Sequence, residues 1–441
     1  MKKIYLALFV FVVIFCNFGV IYAQETSFDL NKSVGNRVQP MEYIVSPDKE
    51  TTAFIARVTD EIGYDSYSIF TFDTKNEKLQ TVTSLNNYSV GGDVPLVGLS
   101  NSYLATKESN ERGGVAWMPG FIRKIFGIDL FVSNLKIYNT SNQKLVKLIK
   151  VNGSIGNVSF SPDGEKLWYE QLSSDATTRD DSKILIYNIQ SGEINKLGKI
   201  KCAFLNWFPD SENIICAKPE SSAEYRSYND FPNQIYKFNI SSGQYENLGF
   251  TGLNSVFEAE WIIPGKTVLV SPSNVATDQS FYIFDLSTKQ STKLDVRRAY
   301  GSGDHVINND GFVAFTDNPE NLDANRNRAN RIRVFNDSGA IVNDETFTAP
   351  FTTSIYIQGV TNNGNYLYHT NYCTNTYNRP SRIYELVYND KLNNVKKTIF
   401  QSVDSDDGCG GSMRIPRNYY DDIRNMVINL DEGKISFYPV N

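Results

Sequence analysis

The 441 residues include only two histidines, five cysteines, five methionines and four tryptophans. Each scarcity narrows the chemistry. His305 and His369 stand far apart in the chain and leave little for a histidine-rich metal centre. No Cys-x-x-Cys spacing occurs, so neither structural zinc nor a dithiol redox site is expected. No Gly-x-Ser-x-Gly elbow occurs, and no hydrolase domain accompanies the rest of the sequence, so a Ser-His-Asp site is not indicated. Positive charge is also short. Lys and Arg number 43 against 49 Asp and Glu, a net charge of −6 that provides no basic footprint for nucleic acid. After the opening residues no apolar run reaches membrane length.

What is present begins with Lys2-Lys3, an apolar run from Ile4 to Val20, and the small residue Ala23. This is the pattern of a secretory signal peptide over 1–23, with polar Gln24-Glu25-Thr26 following at once. An uncleaved anchor is the competing reading. Phe15 before Cys16 does not fit a lipoprotein signal. Cleavage would take the charge from −6 to −8 by removing Lys2 and Lys3. The expected mature protein, 24–441, is exported to the periplasm or cell surface.

The remainder is rich in Tyr, Phe, Asn and Ser, which favours strands and turns. One pattern recurs along it: an aromatic residue ending an apolar run, followed by Asp or Asn. The copies are Phe72-Asp73, Tyr138-Asn139, Tyr187-Asn188, Phe238-Asn239, Phe284-Asp285, Phe335-Asn336 and Tyr388-Asn389. They lie 66, 49, 51, 46, 51 and 53 residues apart. A period near fifty with four short strands per unit is the signature of propeller blades, and the long spacing marks an insertion at about 108–132. An earlier turn recurs too, as Ser46-Pro47-Asp48, Ser161-Pro162-Asp163-Gly164, Phe208-Pro209-Asp210, Ile263-Pro264-Gly265, Asn309-Asp310-Gly311 and Asn363-Gly364. An incomplete eighth unit contains Met426–Leu430 and Ile435–Tyr438, with Tyr438 standing 50 residues after Tyr388. Ser27-Phe28-Asp29-Leu30 is available to supply its missing strand and remove the open edge. The expected fold is an all-β propeller of eight four-stranded antiparallel blades, the last composite. Seven blades with an extension is the alternative.

The Phe-Ser-Pro-Asp-Gly turn at 160–164, together with the Ile-Tyr-x-x-Asp/Asn-like third strands and their Ser-Gly or Thr-Lys turns, resembles the TolB-type propeller repeat family over about 41–402. The resemblance covers the repeats and not that family's α/β domain. It implies a fold and no activity.

In such a meander the second-to-third loops and the links between blades share one face. The long segments 107–133, 173–182, 218–233, 317–331 and 371–382 all belong there, which points to function on that face. The insertion is strongly apolar, with Trp117, Phe121, Ile125 and Phe126 in it. It reads as a lid on the propeller mouth, a docking surface, or a peripheral membrane contact. Tyr225, Arg226, Tyr228, Asp323, Tyr377 and Arg379 are further candidate binding residues on these loops. Acidic residues Asp180, Asp181, Asp230 and Asp323 allow a carboxylate-based site without specifying one. Asp323-Ala324-Asn325-Arg326-Asn327 and Asp404-Ser405-Asp406-Asp407-Gly408 are incomplete calcium loops, so no cofactor is expected and calcium is a minor reading. Of three pairings open to Cys202, Cys216, Cys373 and Cys409, the blade register selects Cys202–Cys216 and Cys373–Cys409 as disulfides. The leading expectation is an exported, non-enzymatic propeller that binds a protein or glycan partner in the cell envelope. The alternatives are a hydrolase or lyase acting at the central funnel, and a structural part of an envelope assembly docked through the insertion.

Overall fold

The computed structural model describes residues 26–85, 96–111, 129, 131–172, 183–197, 203–218, 234–253, 256–272, 280–297, 305–308, 310–317, 331–347, 354–376, 379–390, 393, 395–404, 417–421, 424–431 and 433–440. They form eight antiparallel sheets of four strands each, with one short helix, Leu30–Val34. Blades 1 to 7 are meanders over 37–85, 96–152, 154–196, 203–247, 256–297, 305–346 and 354–404, with the strands of each paired in chain order. Blade 8 has Arg417–Asp421, Met426–Asp431 and Lys434–Pro439, and Thr26–Asp29 pairs with the last of these as its fourth strand. The composite eighth blade expected from the sequence is therefore present. Its first strand, Arg417–Asp421, carries no turn signature and was not legible beforehand. Among the described residues no helix is long and apolar enough to cross a membrane.

The recurring aromatic-Asp/Asn pair ends the third strand of blades 1 to 6, and its cause is local. The polar side chain caps the turn that follows. Asp73 Oδ1 accepts from the N–H groups of Lys75 and Asn76, Asn239 Oδ1 from Ser241 and Ser242, and Asp285 Oδ1 from Ser287 and Thr288. In blade 7 the cap moves one residue on. Asp390 receives the Asn393 N–H, while Asn389 donates to Glu345 and Tyr366 instead. The other recurring turn is equally self-contained. Ser161 Oγ donates to Asp163 Oδ1 at 2.5 Å, Lys166 N–H donates back to Ser161 Oγ, and Gly164 takes φ +73.

The core consists of eight apolar clusters, one at each seam between neighbouring blades. Period-two alternation feeds two seams from a single strand. In Asn213–Lys218, Ile214 and Cys216 join Trp168 and Ile186 of blade 3, and Ile215 and Ala217 join Val268 and Phe284 of blade 5. Polar bonds between blades add to this. Trp261 Nε1 donates to the Trp207 carbonyl at 2.6 Å, and Trp207 Nε1 to the Ser159 carbonyl at 3.3 Å. The helix Leu30–Val34 ties blade 8 to blade 1. Asn31 Oδ1 accepts from Val38 N–H, and Gly433 N–H reaches the Val38 carbonyl.

Several expectations need correction. Residues 371–376 and 379–382 are strand, not loop. Tyr366–Thr376 and Arg379–Asp390 pair continuously to Thr376 opposite Arg379. Cys373 therefore sits in a strand opposite Arg382, and Arg379 opens the third strand. His369 lies inside the same strand as Cys373. The insertion is shorter than 108–132, because Tyr103–Glu111 and Phe131–Asn139 pair out to Glu111 opposite Phe131.

Candidate functional site

The eight sheets assign a face to each connection. Second-to-third and inter-blade connections lie on one side, first-to-second and third-to-fourth turns on the other. On the second side every connection within blades 1 to 7 is short, 46–50 and 140–144 being as long as any. On the first side are the strand ends that flank 112–130, 219–233, 318–330 and 405–416.

Most residues singled out from the sequence belong to these connections and lie outside the described residues. This holds for Trp117, Phe121, Phe126, Tyr225, Arg226, Tyr228, Asp323, Tyr377, Cys202 and Cys409, for the opening segment, and for both incomplete calcium loops apart from Asp404, which ends a strand. Arg379 and Cys373 are placed by their backbone only. Cys216 is fully buried in the seam between blades 3 and 4. Among the described residues there is no disulfide, and no group of three or more His, Cys, Asp and Glu side chains that could hold a metal.

The described part of the long-connection face has its own chemistry. At the start of blade 6, His305 Nε2 lies 2.5 Å from Glu260 Oε2 on the innermost strand of blade 5. The imidazole is held between Phe281, which it meets edge-on, and Phe315, tilted 31° from its plane, each 5.6 Å away between ring centres. Its side chain is 12% exposed and that of Glu260 37%, so the carboxylate remains reachable from the central opening. The strand carrying Glu260 is bulged between Val256 and Glu258. The bulge turns Phe257 out of the sheet, 51% exposed beside Glu258 and Glu260. Innermost strands of blades 1, 2, 3, 4 and 7 are bulged as well.

Further out, the 60–64 turn of blade 1 displays Ile62 and Tyr64, 79% and 73% exposed. Asp60 Oδ1 fixes that turn by accepting from the N–H groups of both residues. Ion pairs mark the same rim: Lys136–Glu108 at 2.6 Å, and Arg331–Asp344. His305 is one of only two histidines in the sequence, but nothing near it in the chain points to its partner. Glu260 stands 45 residues earlier, and only the register of two neighbouring blades joins them.

His369 belongs elsewhere. It is 1% exposed, its Nε2 lies 3.1 Å from the Tyr384 hydroxyl, and burial pushes its pKa down to about 3. It is a neutral interior histidine, without access to a ligand on the face.

Together the sheets define an eight-bladed β-propeller. No known family model matches the chain, and neither does any curated protein. Solved propellers resemble it distantly. The propeller domain of the Trilobed protease from Pyrococcus furiosus aligns with 84% of this chain and 99% of its own at 16% identity, with a TM-score of 0.47. A structure titled as the eukaryotic initiation factor aligns over 91% and 85% at 15% identity, TM-score 0.48. A putative TolB from Agrobacterium tumefaciens aligns over 63% and 87% at 16% identity, TM-score 0.36. Likenesses this distant extend to the propeller fold alone.

Proposed function

We propose that the chain is an exported binding propeller that takes a protein or glycan on its long-connection face. The one-sided distribution of the long connections carries this reading: the sheets place short turns on one side and the strand ends that flank the long connections on the other. The two most exposed large apolar side chains, Ile62 and Tyr64, and the half-exposed Phe257 lie on the same side. Apolar groups presented on a fixed turn match a recognition surface better than a solvated rim.

The test replaces 219–233 and 318–330, singly, with Asn-Gly turns, and compares them with a variant of the 241–243 turn on the other face. Binding to purified envelope polysaccharides and to envelope proteins is measured on each. Loss of binding with the first pair and retention with the third is expected. Equal binding by all three variants would refute the reading.

The Glu260–His305 pair favours a second reading, a hydrolase or lyase acting at the central opening. A carboxylate reachable from solvent and hydrogen-bonded to imidazole can move a proton to or from a bound substrate. Glu260→Gln keeps the shape and removes the base. Turnover of any envelope glycan by the wild type and not by that variant would favour this reading over simple binding.

A further inference from the structure

The seam between blades 7 and 8 has the smallest buried apolar cluster among the described residues. Its buried apolar cluster is only Leu367, Leu386, Val427 and Val440, whereas the seam between blades 4 and 5 also buries rings such as Phe250 and Phe284. Alternation shows what fills the remaining space. Tyr366 and Tyr368 face blade 6 and Leu367 faces blade 8, so His369 faces blade 8 too. Tyr384 shares the parity of Leu386 and lies against His369. In blade 8, Ile428, Leu430, Ile435 and Phe437 face blade 1, so Asn429 and Ser436 face blade 7.

Asn429 and Ser436 are direct register partners. Leu367 and Val427 share the seam cluster, and His369 and Asn429 each stand two residues further along the same strands. His369 and Asn429 are 1% exposed and Ser436 is 0% exposed. Yet His369 Nδ1, Asn429 Oδ1 and Ser436 Oγ have no hydrogen-bond partner among the described residues. Three stranded polar atoms on one seam are costly, because each has given up its hydration for nothing.

We infer that a single water molecule is enclosed at this seam and bridges the three. Asn429 Oδ1 can only accept, so the water donates one proton to it. The Ser436 hydroxyl and His369 Nδ1 complete the water's bonding, and three partners is the usual number for an internal water. All three groups are neutral, which selects a neutral guest over an ion that would enter without a counter-charge. The seam that joins the composite blade to blade 7 is thus closed through solvent, not through apolar contact alone. This inference is independent of which ligand the outer face takes.

Crystals of the whole protein should show a density peak within hydrogen-bond distance of all three atoms. In solution, histidine-selective ¹⁵N labelling yields two ring systems, His305 and His369. The His369 ring should cross-relax with a long-lived water, and Asn429→Leu should abolish that signal. If Asn429→Leu does not fold, Ser436→Ala keeps the test readable, because it should shorten the water's residence. A direct Nδ1 to Asn429 Oδ1 bond with no density between, or a water signal unchanged in these variants, would overturn the inference.

Discussion

Glu260 Oε2 and His305 Nε2 meet at 2.5 Å across the seam of blades 5 and 6, beside the half-exposed Phe257. The pair contributes modestly to stability, since one partner is open to solvent, and an exchange of Glu260 for Gln should cost about 1 kcal/mol. Its effect on function should be larger. Glu260→Gln and Phe257→Ala should each weaken ligand binding at least tenfold, roughly 1.4 kcal/mol, with the melting temperature nearly unmoved. Unchanged affinity in both variants would remove the central opening from the recognition surface.

Ring closure depends on the first described strand. Leu30 is fully buried at the seam of blades 8 and 1, and Phe28 packs 5.0 Å from Phe72 between ring centres. Leu30→Ala should cost about 2–5 kcal/mol, as for other buried leucines. Removing 26–30 should lower the melting temperature of the whole ring, because it exposes an edge along Lys434–Pro439. Thermal unfolding of the truncated protein checks this, and an unchanged transition would mean that the strand is dispensable.

The shift of the turn cap in blade 7 predicts an ordering of three variants. Asn239→Ala removes an exposed turn cap and should cost about 1 kcal/mol, and Asp390→Ala removes a cap that also accepts from buried Asn365 and should cost somewhat more. Asn389→Ala instead removes a donor buried against Glu345 and Tyr366, and should cost about 1–3 kcal/mol. Urea unfolding of the three would show the order, and equal losses would contradict the register.

Acid should weaken the fold through His369. Its folded pKa, pushed down to about 3 by burial, lies below the ordinary value of 6.5. Its contribution is complete above pH 6.5 and is lost progressively as pH falls toward 3, because only the unfolded chain takes up the proton. Between pH 7 and about pH 4 the loss is roughly 3 kcal/mol. Asp163 adds to this at lower pH. Burial opposes its ionisation, but the Ser161 hydroxyl, Glu165 N–H, Ser211 hydroxyl and Lys166 charge outweigh burial and hold it below 3.8. Its contribution is lost only as pH falls below that value. Urea midpoints across this range should fall in the wild type and much less in His369→Leu. Parallel curves would assign the acid sensitivity to other groups.

The features readable in advance were those with a local cause. The aromatic-Asp/Asn pairs recur because each Asp or Asn caps the turn beside it, and the Ser-Pro-Asp-Gly turn is held by its own side chains. Blade count and closure followed from that register. What escaped has a cause spread over distant segments or lacks apolar alternation. Glu260 and His305 meet only once two blades are stacked. Asn371–Thr376, read as a loop, is Asn-Tyr-Cys-Thr-Asn-Thr and offers no alternation to reveal a strand. Arg417–Asp421 lacks the recurring turn sequence, although Asp421 Oδ1 accepts the Arg424 N–H, and its place is set by pairing with Met426–Asp431.

Hydrogen exchange of the protein, with and without an envelope protein or glycan that the binding assays select, tests the proposed functional face most directly. Protection on binding is predicted at Phe257, at the 60–64 turn, and at the strand ends flanking the long connections: Glu111, Phe131, Lys218, Gln234, Asp317 and Arg331. Protection confined to the turns at 140–144, 189–193 and 240–244 would place recognition on the opposite face and contradict the proposal.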